Sequence, residues 1–178
     1  MPNRFWVGGS GSWNGTNLTN WSATSGGVGG ASIPTALDDV YFDANSGGGT
    51  VTVTAFSRAC LNLSFRGLSG TSDFTGIFEG TQSLNISGGL ILSASTTYTY
   101  SGTTSFLAVS GSYNITCNGA TWASAMTFNG AAATWSTTDI FRITGTLTLT
   151  AGTLNIQYDS FMGTISSSNS NVRSLVFG

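Results

Sequence analysis

Lysine and histidine are absent from the 178 residues, and glutamate occurs once, as Glu79. Charged residues make up 7% of the chain, against about 25% in ordinary soluble domains. Without histidine or lysine, the Ser/His and Cys/His nucleophile systems are excluded, because each needs a base beside the nucleophile. The five arginines (Arg4, Arg58, Arg66, Arg142 and Arg173) are scattered, and the net charge is −2. No phosphate-neutralising surface can be assembled from them, which excludes nucleic acid as a partner. No run of 18 apolar residues occurs, so no membrane-spanning helix is expected and no membrane partner. The opening Met-Pro-Asn-Arg-Phe-Trp lacks the apolar stretch of a secretion signal. A leader missing from the sequence, or exit by another route such as virus assembly and lysis, is the expectation that follows. Two cysteines, Cys60 and Cys117, are too few for a disulfide framework. They read as buried free thiols, with a single staple as the alternative.

In place of charge the chain carries 27 Thr, 26 Ser, 13 Asn and 25 Gly. Threonine is β-branched and suits a pleated surface. Serine, asparagine and glycine suit turns. The helix formers Lys, Glu and Gln are nearly missing, and no long 3.6-period stripe occurs, so almost no helix is predicted. Apolar residues at 40% and aromatics at 12% supply a core and set the chain apart from disordered sequences.

Two regions differ in texture. Residues 1–49 carry Trp6, Trp13 and Trp21 among glycines. This segment is expected to cap the end of a sheet stack, with each indole N–H needing a partner. Residues 50–178 form the predicted repeat region. There Val51-Thr-Val-Thr alternates as a half-buried strand does. A phrase then recurs: an apolar residue or cysteine, Ser/Thr/Asn, glycine, and a short β run. Its glycines are Gly88, Gly102, Gly111, Gly119, Gly130 and Gly145, at strand–turn–strand spacing.

Such a text allows an all-β single-stranded β-solenoid (a parallel β-helix) or a β-sandwich or jelly roll. Two features favour the solenoid. Ile86-Ser-Gly and Ile143-Thr-Gly lie as far apart in sequence as Cys60 and Cys117, which fits three coils of about 19 residues or two and a half of about 23. Stacked ladders of neutral Thr, Ser and Asn also escape the repulsion of like charges. About six coils, stacked at about 4.8 Å each, are expected. The closing strand, Asn171 to Gly178, has no polar cap after it. It is expected to continue into further chain or to dock on a neighbour.

Few residues suggest chemistry. Glycoside cleavage needs two carboxyls across one bond. The candidates Asp38, Asp39, Asp43, Asp73, Glu79, Asp139 and Asp159 are mostly isolated, and no enzymatic activity is expected. Asp38, Asp39 and Asp43 form the one acidic cluster, a weak Ca²⁺ candidate that otherwise reads as a solvated turn. No metal or other cofactor is expected. Trp122 and Trp135 each end a glycine turn, where an outward ring could stack on a sugar; the alternative is core packing. Asn14, Asn17, Asn20, Asn62, Asn85 and Asn114 match the glycosylation acceptor pattern, which acts only in a eukaryotic secretory pathway.

The opening R-F-W-V-G-G-S-G-S-W-N…N-W-S…I-P-T-A-L-D-D-V-Y-F-D-A-N-S resembles the N-terminal motif of large Gly/Thr-rich surface and virion proteins of tailed phages and environmental bacteria. The stretches R-A-C-L-N-L-S-F-R-G, T-F-N-G-A-A-A-T-W and G-T-I-S-S-S-N-S-N-V-R-S-L-V-F-G are similar to the same group. The resemblance implies a β-helical subunit of a virion or extracellular appendage. From the charge-poor surface and the uncapped end, self-assembly through sheet edges into a homo-oligomer, trimer or filament is expected. The alternatives are a carbohydrate-binding module or polysaccharide depolymerase acting on a cell-surface glycan, and a secreted adhesin.

Overall fold

The computed structural model describes residues 1–68, 70–158 and 163–178. Among these the chain forms seventeen strands. In order they are β1 (Asn3–Trp6), β2 (Gly11–Trp13), β3 (Trp21–Ser22), β4 (Asp39–Tyr41), β5 (Thr50–Val53) and β6 (Arg58–Cys60). Then come β7 (Leu63–Ser64), β8 (Ile77–Gly80), β9 (Leu84–Ile86), β10 (Leu90–Ile91), β11 (Thr97–Tyr98) and β12 (Thr104–Phe106). The last five are β13 (Ser110–Thr116), β14 (Met126–Thr137), β15 (Thr146–Ile156), β16 (Thr164–Ser166) and β17 (Arg173–Phe177). No α-helix occurs among the described residues, only a 3₁₀ turn at Ala44–Ser46.

The strands stack in parallel on three faces. The first face runs β1, β4, β7, β10, β13, the later halves of β14 and β15, then β17. The second holds β2, β5, β8 and β11, followed in chain order by the single parallel bridge Trp122↔Ile143. The third holds β6, β9, β12, the early halves of β14 and β15, and β16. The chain visits the faces in rotation and pairs each strand with the one a coil earlier. This is a β-solenoid, and the sandwich is set aside.

Period-two alternation fills the interior. Val51 and Val53 point inward while Thr52 faces out, and inward positions meet rung upon rung. On the third face Cys60, Ile86, Phe106, Phe128 and Leu149 form one buried column. Within it Phe106 and Phe128 stack at 4.5 Å and 4°, an arrangement in which each ring buries large area. Corners are fastened by side chains that span coils. Asn62 donates to Asp39 Oδ1 at 2.7 Å and accepts from the Gly89 N–H at 2.7 Å, joining three rungs. Asp139 accepts from the backbone N–H groups of Cys117 and Asn118 in the coil before it.

The expected division at residue 49 is not a break. β1 pairs with β4 and β2 with β5, so residues 1–49 begin the same sheets. The indoles of Trp6, Trp13 and Trp21 are fully buried against one another and against Phe42. Trp6 Nε1 donates to Gly9 O at 2.7 Å. The N–H groups of Trp13 and Trp21 have no hydrogen-bond partner among the described residues, contrary to expectation. β3 pairs antiparallel with β1 and covers its outer edge.

The equal spacings that favoured the solenoid join unlike positions. Ile86 lies on the third face and Ile143 on the second. Cys60 belongs to the third face, while Cys117 follows β13 off the first. Coil length varies instead: Val40, Leu63, Leu90 and Ile115 are successive rungs of one column.

Two inward ladder positions break the apolar rule: Thr137, whose Oγ1 accepts from the Gln157 N–H, and Thr104. Thr104 sits between Leu84 and Met126 in the third-face stack, fully buried, with Oγ1 unpaired. Its hydroxyl was desolvated without compensation. Thr104→Val is therefore expected to stabilise by about 1 kcal/mol, raising Tm by about 2–4 °C. An unchanged or lower Tm in a thermal melt would count against this reading.

Candidate functional site

The residues singled out from sequence do not converge. Trp122 and Trp135, expected to reach sugars if outward, are core residues at 1% and 0% exposure. Trp122 packs on Tyr98 and Tyr100. Trp135 packs on Phe128, and its Nε1 donates to Gly88 O at 3.1 Å, two coils away. Trp122 meets the buried Ile143 through its bridge and Trp135 meets the buried Leu154 through β14, which decides their direction.

The acidic cluster is likewise dispersed. Asp38 Oδ2 accepts from Thr35 N and Oγ1 at 2.8 and 2.7 Å, and Oδ1 lies 3.4 Å from Arg4. Asp39 holds Asn62. Asp43 caps the 3₁₀ turn and accepts from Ser25 Oγ at 2.6 Å. Each carboxylate has its own local task, and no three metal-ligating side chains gather among the described residues.

The six asparagines differ in freedom. Asn17, Asn20 and Asn62 use their amide N–H groups internally, and Asn14 accepts from the Thr16 and Asn17 N–H groups. Asn85 is half-buried on the third face, and Asn114 is exposed on the first. Both thiols are free and buried. Burial pushes the Cys60 thiol well up and that of Cys117 up to about 11, so neither is a nucleophile at neutral pH. Asp159 lies outside the described residues.

Surface depressions lie on two of the faces. One, of about 470 Å³, is on the second face. Outward positions of β5 and β8 bring Thr52 beside Glu79, and Thr52 Oγ1 donates to Glu79 Oε1 at 2.8 Å. Thr54, Thr81, Thr99 and Ser101 complete a rim of hydroxyls. Glu79 is the one carboxyl among the lining residues, so this groove does not assemble the two-carboxyl arrangement of glycoside cleavage.

The second depression is a trough on the first face, made of two adjoining hollows of about 320 and 310 Å³. Tyr41, Ser64 and Ile91 are common to both. These three are successive outward rungs, set by the registers Tyr41↔Ser64 and Ser64↔Ile91. Phe5 precedes them at the register Phe5↔Tyr41 and Thr116 follows at Ile91↔Thr116. The Phe5 and Tyr41 rings stack at 5.0 Å and 20°. Burial, with the charge of Asp39 second, pushes the Tyr41 phenol pKa up, so it is a neutral hydroxyl at physiological pH. Asn114 and Ser112 line one hollow, and Arg66 and Leu68 the other.

The fold and surface define the class: a parallel β-solenoid with neutral outer columns and a shallow trough beside an aromatic stack. Comparison with protein-family models, curated proteins and solved structures finds no match.

Proposed function

We propose that the chain is a structural subunit of a virion or extracellular appendage that assembles with copies of itself and displays a stiff surface. One observation carries the reading: a single buried column system runs from Trp6 to Ile156, wrapped in neutral Ser, Thr and Asn. A stack of this kind resists local opening, because each coil is hydrogen-bonded above and below. Its faces meet other copies without charge repulsion, since only 7% of residues are charged. β17 adds an apolar strand with exposed Val176 and Phe177, the type of edge that pairs with another strand. The resemblance of the opening motif to phage and bacterial surface proteins supports the setting.

Electron microscopy of the purified chain at several concentrations, with light scattering for mass, tests the proposal. Defined trimers or filaments are expected. A monodisperse monomer at every concentration overturns the self-assembly part of the reading.

A further inference from the structure

On the outside of the first face an aromatic ladder begins and stops. Phe5 and Tyr41 occupy two successive rungs and stack at 5.0 Å. The next rung holds Ser64 and the one after it Ile91. Rungs repeat at about 4.8 Å, so Ser64 leaves a gap one ring deep beside the second face of Tyr41. Ile91, 37% exposed, lies across that gap, and Thr116 lies one rung beyond it. From Tyr41 to Thr116 is three rungs, or about 14 Å.

Polar groups along the trough are uncommitted. The Tyr41 hydroxyl, the Asn114 amide and the Ser112 hydroxyl make no hydrogen bond with any described residue, and all three residues line the trough. Arg66, at the other end, faces Asp73 at 3.7 Å, which offsets its charge. No unpaired carboxylate lines either hollow, so the trough suits neither a metal ion nor a cationic ligand. An open aromatic face, a small floor residue, an apolar far wall and neutral hydrogen-bonding groups at the rim together match one ligand chemistry. That chemistry is a ring with C–H groups on its faces and hydroxyls at its edge.

We propose that the trough is a binding site for a neutral oligosaccharide, one pyranose ring stacking on Tyr41 above Ser64 and a further unit, along the trough, bonded by Asn114 and Ser112. The site goes beyond the structural role and does not depend on assembly. It also places sugar contact on Tyr41 rather than on the buried Trp122 and Trp135.

The test is saturation-transfer NMR on the full chain with methyl glucoside, methyl galactoside, methyl mannoside and the disaccharides cellobiose, maltose and lactose, each at millimolar concentration. Glucuronate is the charged control. Transfer to at least one neutral probe is expected, weakened tenfold or more by Tyr41→Ala and by less than threefold by Tyr41→Phe. Ser64→Phe, which extends the ladder into the gap, is expected to abolish transfer; Asn114→Ala weakens it without touching the core. No transfer to any neutral probe overturns the proposal, as does transfer to glucuronate alone. Transfer that survives both Tyr41→Ala and Asn114→Ala at wild-type strength places the sugar elsewhere and overturns the assignment.

Discussion

Phe42→Ala is expected to cost about 3–5 kcal/mol and to lower Tm by about 6–20 °C. The Phe42 ring is the one that joins the N-terminal indoles to the rest of the core. Its centroid lies 6.0, 6.2 and 6.2 Å from Trp6, Trp13 and Trp21. On its other side it stacks on Phe65 at 5.2 Å and 13° and meets Phe74 and Phe78, both at 5.6 Å. It is fully buried, and the six large rings around it cannot collapse into the space it would leave. Each coil's ladders join it only to its neighbours, so the damage should stay local. Amide exchange is expected to accelerate over residues 3–66 while β14 and β15 keep their protection. A Tm within about 2 °C of wild type would show that the indoles hold that end without Phe42.

The second large effect is expected at Gly130, through crowding rather than loss. Gly88, Ala108, Gly130 and Gly152 occupy equivalent corner positions between the third and first faces, as the registers Ile86↔Phe106↔Phe128 and Asn129↔Ala151 require. A β-carbon on Gly130 would overlap the Ala108 carbonyl oxygen of the coil before it and lie 2.8 Å from Trp135 Cη2. Neither neighbour can give. The carbonyl belongs to the stacked backbone, and the indole is held by its bond to Gly88 O. Overpacking of cores costs about 1–3 kcal/mol, occasionally more, and here it forces two coils apart. Gly130→Ala is expected to reach about 3 kcal/mol or more, seen as a lower denaturation midpoint or insoluble expression. Ala131→Ser, one residue along and exposed, should stay within about 0.5 kcal/mol. Equal stability of the two variants would mean that the corner is looser than its geometry.

The β-solenoid was legible because its causes are compositional and local: charge-poor ladders, period-two strands, and glycine at short intervals. Register was not legible. Successive coils take different lengths of chain from the first face to the second, longer from Ser64 to Ile77 than from Ile91 to Thr97, and a fixed-period comparison then matches positions on different faces. The recurring glycine phrase marks all three corners: Gly130 sits between the third and first faces, Gly119 leaves the first, and Gly145 enters the third.

The trough was harder still to foresee. In Asp39-Val-Tyr-Phe the alternation puts Tyr41 opposite Val40 and Phe42, which is readable from sequence. That its ring is half open depends on Ser64 and Ile91, which become neighbours only once the coil lengths are known. Trp122 and Trp135 left two readings open, outward or core, for the same reason. A tryptophan that ends a glycine turn looks exposed until the column it continues is identified.

The variable coil lengths also bear on how the chain reaches its fold. β4 and β5 reach back 36 and 40 residues to β1 and β2, and every later ladder joins residues between 18 apart, as Leu147↔Ile165, and 27, as Leu63↔Leu90. Relative to 178 residues the ladder separations correspond to a contact order of about 0.12, nearer to mixed α/β domains than to sandwiches. No strand must wait for a partner from the far end of the sequence. Each coil can close on the one before it as soon as about two dozen residues are available, so the structure can grow in step with synthesis. Loop-closure entropy is met in small steps, and a nascent chain exposes little more than one unpaired edge at a time.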